Sequence, residues 1–187
     1  DHEDLQPSPS AADGTVRLVH HGMASARRCT LDLVRMMDHL GDGYNLHLYL
    51  VDGGDQQYLQ AVQEAATARP NVQLHPIVEP AALARTINGY DIGVHLLPAT
   101  NINHELALPN KLFDFVQARL ATVVSPTRTM AALVHDHDLG VVAHGYTPVD
   151  LANAVRTMTP ERMDHYKQQA HRQARALSAE GNKELLR

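Results

Sequence analysis

Short apolar runs alternate with longer amphipathic segments along the chain from Thr15 onward, and turn residues separate the two. Each short run spans four to six residues, is rich in β-branched residues or alternates apolar with polar positions, and stops at or near glycine, proline or aspartate. Runs of this length and composition are typical of β-strands. The pattern predicts six strands, at Val16–His20, Leu46–Val51, Val72–His75, Ile92–Leu97, Ala121–Ser125 and Leu139–Ala143.

The segments between these runs have the spacing of helices. In the first of them, Leu33, Val34, Met37 and Leu40 fall on a single apolar face. Several segments begin with proline. The first turn of a helix accepts proline because the amides there have no partner within the helix, so the missing N–H of proline costs no hydrogen bond. The predicted helices are Thr30–Leu40, Gln57–Ala68, Pro80–Ile87, Pro109–Leu120, Thr127–His135, Pro148–Met158 and Pro160–Leu177.

Six strands that alternate with helices predict an α/β fold. The expected architecture is a Rossmann-like, doubly wound parallel sheet of about six strands with helices on both faces. Ligands of such sheets bind at the carboxyl ends of the strands, near the point where the strand order reverses. The loops after the first four strands are therefore where we look for chemistry.

Composition narrows the class of protein. The 187 residues suit one domain, and a net charge of −5 argues against a nucleic-acid-binding module. A single cysteine, Cys29, excludes an internal disulfide framework, and no apolar run is long enough to span a membrane.

Residues 1–14 are rich in acids, proline and serine, so we expect a disordered linker there and a folded domain over residues 15–187. Because the first residue is Asp, we expect a piece of a longer protein.

The loop after the first strand has features of an anion site. Gly22 permits a tight turn, and Arg27 and Arg28 stand close to the start of the next helix. Amides at a helix N-terminus together with guanidinium groups bind anions. The dinucleotide signature G-x-G-x-x-G is absent, and an ordinary loop with two solvated arginines is the alternative.

A second candidate site follows the fourth strand. A long polar loop, 98–108, enters a helix through Leu108, Pro109, Asn110 and Lys111. Lys111 could place a positive charge beside a phosphate, and the carboxylate of Asp114 could accept hydrogen bonds from sugar hydroxyls. His104 is the histidine of this loop that we expect to touch such a ligand. The alternative is a capped helix in which Lys111 and Asp114 form a surface pair.

The stretch LPNKLFDFVQARLATVVSPTRTMAALV resembles the C-terminal domain of GT-B glycosyltransferases related to family 4. The opening VRLVHHG and the segments YDIGVHLLP and LGVVA are similar to the same family, and the resemblance spans residues 15 to about 185. The Leu-Pro-Asn-Lys helix start is fairly specific, whereas the rest of the resemblance is one of pattern.

The resemblance implies a domain that holds the nucleoside diphosphate of an activated sugar, as one half of a GT-B fold. The sugar would pass to a glycan, a lipid or a small molecule, and diphosphate would depart without a metal or other cofactor. An N-terminal domain of the same protein, absent from this chain, would hold the acceptor, so the chain alone should be inactive. The implied contacts are Gly22 beside the diphosphate, Arg27, Arg28 and Lys111 neutralising it, Leu108, Pro109 and Asn110 lining the site through backbone groups, Asp114 at the ribose and Val78 at the base.

The chain departs from the family pattern at one carboxylate. The family commonly has two acidic residues spaced E-x7-E; Asp114 fills the second place, but Leu106 stands in the first and Glu105 is one residue away. The donor sugar and the stereochemical outcome therefore stay open. Two alternatives remain: a nucleotide-sugar epimerase of the same fold, and a non-catalytic binding domain that has lost donor contacts.

Thirteen histidines raise the question of a metal, but none fits a known ligand spacing. We expect no native metal site, although His135 and His137 could chelate one opportunistically. His47, His75 and His95 lie in predicted strands and are interpreted as packing or sheet-edge residues. The last helix has a basic face, which could lie near a membrane surface if the acceptor is a lipid, could be a solvated face, or could contact the N-terminal domain as in GT-B enzymes. We expect a cytoplasmic protein, with peripheral association at the inner membrane face if the acceptor is a lipid.

Overall fold

The computed structural model describes residues 4–178 and has a six-stranded sheet at its centre. All neighbouring strands are parallel, and their order is β3-β2-β1-β4-β5-β6. This order reverses between β1 and β4, which makes that pair the switch point of a doubly wound sheet. The predicted fold class is therefore confirmed. The strands are β1 Val16–Ala24, β2 Tyr44–Asp52, β3 Val72–His75, β4 Ile92–His95, β5 Ala121–Val124 and β6 Gly140–Val142.

Helices connect the strands, and most of them lie close to their predicted positions in the sequence. The first ends earlier than the apolar spacing predicts, because its last turn tightens into a 3-10 turn at Met37–His39. A second 3-10 turn, Ala26–Arg28, precedes it. The helices are α1 Thr30–Met36, α2 Gln56–Thr67, α3 Pro80–Ile87, α4 Ile102–Glu105, α5 Asn110–Gln117, α6 Arg128–Asp136, α7 Pro148–Arg156 and α8 Pro160–Gln173.

Two differences from the sequence prediction concern the predicted loops after β1 and β4. β1 continues four residues beyond His20, because it stays paired with β2 as far as Ala24 opposite Asp52. The residues after His20 were interpreted as a loop, but the neighbouring strand provides their hydrogen bonds as far as Ala24. The loop 98–108 contains α4, a single turn too short to leave a periodic pattern, which the side chain of Asn101 caps by accepting from the His104 amide.

Apolar side chains cover both faces of the sheet. On one face, strand residues such as Leu18 and Leu46 pack with Leu33 of α1, Val62 of α2 and Leu151 of α7. A second cluster joins Val19 to residues of α3 and α5, and a third joins α5 and α6 to β5. These layers hold the strand ends in place, and with them the loops that leave the sheet at the switch point.

Residues 4–14 lie against the domain, where the composition led us to expect a disordered linker. The backbone amide of Ser10 donates to Asp164 at 3.1 Å, and that of Ala11 donates to Asp91 at 3.2 Å. Ser8 bonds to the backbone of Asn88 through its hydroxyl. Polar contacts with residues about 80 to 150 positions away hold this segment, and composition does not reveal contacts of that kind. The rest of the predicted linker, residues 1–3, and the end of the predicted domain, 179–187, lie outside the described residues.

None of the helices between residues 4 and 178 is both long enough and apolar enough to cross a bilayer.

Candidate functional site

A cavity of about 1040 Å³ opens at the carboxyl ends of the strands beside the β1–β4 switch point. The loops after β1, β2 and β4 and the first turn of α5 form its walls. Nine of the ten predicted site residues line it, namely Gly22, Arg27, Arg28, His104, Leu108, Pro109, Asn110, Lys111 and Asp114. The fold therefore brings together two chain segments that are about 80 residues apart in sequence.

Val78 is the predicted site residue that does not line the cavity. It follows β3, which is the edge strand of the sheet and lies two positions from β1.

The N-terminus of α5 faces the cavity without a side-chain cap. Pro109 occupies the N-cap position in an extended conformation and offers no side-chain hydrogen bond to the amides that follow. The first amides of a helix have no partner within the helix, and the helix dipole adds a partial positive charge there. This end of α5 is therefore able to bind an anion.

Lys111, in the first turn of α5, lies across Gly22. The φ of Gly22 is +106°, a conformation that favours glycine, and a Cβ placed there would stand 2.6 Å from the Lys111 Nζ and would displace the ammonium. The ammonium makes no hydrogen bond or ion pair with residues 4–178, although Lys111 is only 5% exposed. Burial, helped by the nearby Arg28, lowers the pKa of Lys111 to about 8, and Asp114 opposes the shift.

Two further cations stand on the β1 side of the cavity. Arg27 is exposed and Arg28 is half-buried, and both belong to the 3-10 turn that leads into α1. Neither guanidinium has a hydrogen bond or ion pair to another residue of the described range 4–178. Together with Lys111 they give the cavity three cations without partners, which is the charge pattern of an anion site.

Asp114 lies one turn further along α5, and its Oδ2 is 3.4 Å from the Nε2 of His21. Burial raises the pKa of Asp114, while Lys111 acts in the opposite direction. Burial and Lys111 lower the pKa of His21 to about 3, so this histidine is neutral and the contact is not an ion pair. The sequence also allowed a surface pair between Lys111 and Asp114. That pair does not form, because the Lys111 ammonium lies over Gly22.

His104 reaches the cavity from the loop after β4. Its Nδ1 is 2.8 Å from the Pro98 carbonyl and 2.9 Å from the Thr100 hydroxyl, and these contacts fix the orientation of the ring. The start of the same loop is tied down by Ser125, whose hydroxyl accepts from the Leu97 amide and donates to the Leu97 carbonyl, both at 2.9 Å.

No neighbouring residue supplies the first carboxylate of the E-x7-E pattern, the place where Leu106 stands. Leu106 is 55% exposed, and neither it nor Glu105 lines the cavity. The Glu105 carboxylate accepts a hydrogen bond of 3.1 Å from the Arg128 amide, at the start of α6. Glu105 therefore caps a different helix and does not replace the first acid of the E-x7-E pattern.

Sequence reasoning missed His21 and His95, both of which line the cavity. His95 ends β4, next to β1 in the sheet. Their sequence signal was a polar residue at the carboxyl end of each of the two strands that flank the switch point, but His95 was interpreted as a packing or sheet-edge residue. No group of three or more potential metal ligands occurs in the described part of the chain, and this includes the surroundings of His135 and His137.

No protein-family model and no curated protein matches this sequence. Solved structures do match. HepE of Anabaena in complex with UDP and glucose is similar over 92% of this chain and 47% of its own, with a TM-score of 0.75 and 13% identity. WaaG, a glycosyltransferase involved in lipopolysaccharide biosynthesis, matches over 87% of this chain and 43% of its own, with a TM-score of 0.64 and 16% identity.

The UDP-forming α,α-trehalose-phosphate synthase of Burkholderia xenovorans, in complex with glucose-6-phosphate, is a third similar structure. It matches over 93% of this chain and 43% of its own, with a TM-score of 0.67 and 10% identity. The chain thus spans about half the length of the solved structures it matches. At these identities the likeness concerns the fold, and this chain has the architecture of one half of a GT-B glycosyltransferase.

Proposed function

We propose that this chain is the nucleotide-sugar-binding half of a glycosyltransferase that transfers a sugar from a nucleoside-diphosphate donor to an acceptor. The main support is Lys111, a buried cation without a partner at the uncapped start of α5, in a cavity that also receives Arg27 and Arg28. A buried charge without a partner is costly, and an anionic ligand would offset that cost.

Each residue has a chemical task in this proposal. As the bond between sugar and diphosphate breaks, negative charge develops on the diphosphate. Lys111, the two arginines and the α5 amides stabilise that charge in the transition state. Asp114 accepts hydrogen bonds from the ribose hydroxyls, because a carboxylate is an acceptor with two oxygens. Leu108, Pro109 and Asn110 line the site beside the nucleotide, and no metal or other cofactor is required.

The matched structures favour a nucleoside diphosphate as the ligand. HepE is described in complexes with UDP and with UDP-glucose, and the trehalose-phosphate synthases are described as UDP-forming. A uridine nucleotide is accordingly the first donor to test here. Val78 does not line the cavity, and its contact with the base stays a prediction.

Transfer requires an acceptor site, which we assign to an N-terminal domain of the same protein outside this chain. We expect the 187 residues alone to bind the donor without transferring the sugar. Acceptors that fit the proposal are a glycan, as in polysaccharide biosynthesis, a lipid or a small molecule. A cytoplasmic protein with peripheral attachment at the inner membrane face would suit a lipid acceptor.

Calorimetric titration of the chain with UDP, GDP and ADP tests the proposal. We expect at least one of them to bind with a Kd well below 1 mM. Lys111→Ala should weaken binding about tenfold or more, because a hydrogen bond between charged groups is lost. Asp114→Ala should weaken nucleotide binding but leave inorganic pyrophosphate unaffected. Arg172→Ala is the matched control, since this exposed arginine of α8 does not line the cavity.

The outcomes separate the parts of the proposal. Absence of binding by all three diphosphates would contradict a donor site in this chain. Binding that is equally strong in wild type, Lys111→Ala and Asp114→Ala would mean that the ligand occupies another place.

A second candidate function is nucleotide binding without sugar transfer. The exposed side chain of Leu106 and the engagement of Glu105 by α6 favour it, because no carboxylate stands in the first place of the E-x7-E pattern. Comparing UDP with UDP-glucose distinguishes the two. Affinity that gains from the sugar supports a donor site, whereas a sugar that only weakens binding supports the non-catalytic function.

A further inference from the structure

His95 is buried at the floor of the cavity with no hydrogen-bond partner. It is the last residue of β4, it lines the cavity, and it is 1% exposed. Neither its Nδ1 nor its Nε2 has a partner among the described residues. Buried polar atoms are nearly always paired in folded proteins, so a ring with both nitrogens unpaired requires an explanation.

The neighbouring histidine shows what a packing role looks like. His20 stacks on His95 with ring centroids 5.6 Å apart and an angle of 16° between the planes. His20 is fully buried, its Nδ1 donates to the Val94 carbonyl at 2.8 Å, and it does not line the cavity. Because the two rings meet face to face, the in-plane nitrogens of His95 cannot bond to His20.

The surroundings of His95 keep its ring neutral. Burial, followed by the charges of Lys111 and Arg28, lowers the pKa of His95 to about 3. A neutral imidazole has one N–H donor and one acceptor nitrogen. It can therefore donate a hydrogen bond without adding a further positive charge beside Lys111 and Arg28.

We propose that His95 is a ligand-binding residue that donates its ring N–H to a phosphate oxygen of the bound diphosphate, an inference that rests on the proposed function. The supporting geometry is its place at the carboxyl end of β4, within the cavity that Lys111 and Arg28 also line. Lys111 and Arg28 are the cations whose charges act most strongly on His95. They attract the anionic part of the ligand and not the sugar or the base. Phosphate oxygens are acceptors only, and the donor that His95 offers matches them.

The variant His95→Phe tests the proposal, because it keeps an aromatic ring against His20 and removes both nitrogens. We expect its affinity for UDP and for inorganic pyrophosphate to fall on the order of tenfold, as for a lost hydrogen bond to a charged group. Binding of uridine should not change. The melting temperature should stay equal or rise, because two buried polar atoms without partners are removed.

His20→Phe is the matched control. It removes a ring of the same size from the same stack, but that ring has a partner in the Val94 carbonyl and no access to the cavity. We expect a lower melting temperature and unchanged affinity for pyrophosphate. His95→Gln, which restores an N–H donor, should recover part of the pyrophosphate affinity that His95→Phe loses.

The proposal is overturned if His95→Phe binds UDP and pyrophosphate as tightly as wild type, or if it loses only the contribution of the sugar in UDP-glucose. A large drop in melting temperature with unchanged pyrophosphate affinity would also overturn it, since His95 would then be a packing residue. If wild type binds neither UDP nor pyrophosphate, the proposed function fails first and the role of His95 fails with it. If wild type binds both and the variant is unaffected, only the role of His95 fails.

Discussion

The molecule buries two lysines in opposite ways. Lys167 of α8 is fully buried, and its ammonium donates to Asp91 at 3.1 Å and to the Ser8 carbonyl at 3.1 Å. Lys111 of α5 is almost as deeply buried, but its ammonium has no such partner within residues 4–178 and faces the cavity. Burial lowers the pKa of both; Asp91 opposes the shift at Lys167, and the more distant Asp114 opposes it at Lys111.

The difference separates a lysine whose charge is paired within the fold from one that we propose binds a ligand. Asp91 also accepts from the amides of Ala11 and Arg17, so the ion pair with Lys167 joins α8, the start of β4 and the N-terminal segment. In that network every partner belongs to the chain. Around Lys111 the nearest charged groups include another cation, and the missing counter-charge is what an anionic ligand would supply.

Breaking the Lys167 pair should produce the largest effect. Lys167→Met leaves the Asp91 carboxylate buried without its counter-ion, which costs about 3–5 kcal/mol in the free energy of unfolding. Lys111→Met removes a buried charge that has no partner, so the free energy of unfolding should stay equal or increase. Urea unfolding of both variants beside wild type measures the two values.

In ligand binding, the order of the two effects is reversed. Folded Lys167→Met should bind UDP as wild type does, whereas Lys111→Met should bind it far more weakly. A loss of stability in Lys111→Met comparable to that of Lys167→Met would show that Lys111 is structural, and the comparison between the two lysines would then be wrong.

Gly22→Ala tests the space into which Lys111 folds. The added Cβ would lie 2.6 Å from the Lys111 Nζ, and alanine is strained at a φ of +106°. Backbone strain of this kind costs about 1–3 kcal/mol, and displacement of the ammonium should in addition weaken UDP binding. Gly14→Ala is the control, because its φ of +83° is also positive but nothing lies within 4 Å of the new Cβ. Equal UDP affinity in the two variants would contradict the proposed contact.

The smallest effect is a pH dependence of binding. Lysine is charged below its pKa, and the pKa of Lys111 is about 8, so affinity for UDP should be constant near pH 7 and fall as pH rises above 8. The limit is about tenfold per pH unit for one proton. Lys111→Arg keeps its charge throughout this range and should show no such fall. A wild-type profile that stays flat from pH 7 to 9.5 would mean that the charge of Lys111 does not contribute.

The free energy of unfolding should also depend on the protonation of Lys111, but it should change with pH in the opposite direction to the binding affinity. Between pH 8 and the ordinary lysine value of 10.5, the unfolded chain binds the proton of Lys111 more tightly than the folded chain does. The contribution of this group to the free energy of unfolding therefore increases as pH rises through that window.

The elements of the fold were predictable from the sequence because local patterns specify them. All six strands and seven of the eight helices within residues 4–178 follow from runs of apolar residues and from proline and glycine boundaries. The exceptions are instructive. The extension of β1 to Ala24 depends on pairing with β2, and the α4 turn depends on a cap by Asn101 that has no periodic signature.

The candidate site was predictable as a set of residues and less so as an arrangement. The topology of the sheet predicted chemistry in both loops, and the resemblance to GT-B glycosyltransferases placed Gly22 and Lys111 at one diphosphate. Their direct contact, and the absence of a carboxylate on the Lys111 ammonium, appear only when α5 is placed against β1. His95 was interpreted as a packing or sheet-edge residue, since a histidine in a strand gives no sign of whether its nitrogens find partners. That depends on atoms from β1 and α5.

The sequence by itself therefore determined the α/β alternation, the strand count and the two loops that meet at the cavity, because these depend on periodicity and on the parallel topology it implies. Only the tertiary structure decided which buried polar groups have partners. Lys167 and Lys111 are the same residue type, both on amphipathic helices, and their difference arises from Asp91, which lies 76 residues from Lys167. A pairing between distant positions depends on packing, and packing is not encoded in the local pattern around either lysine.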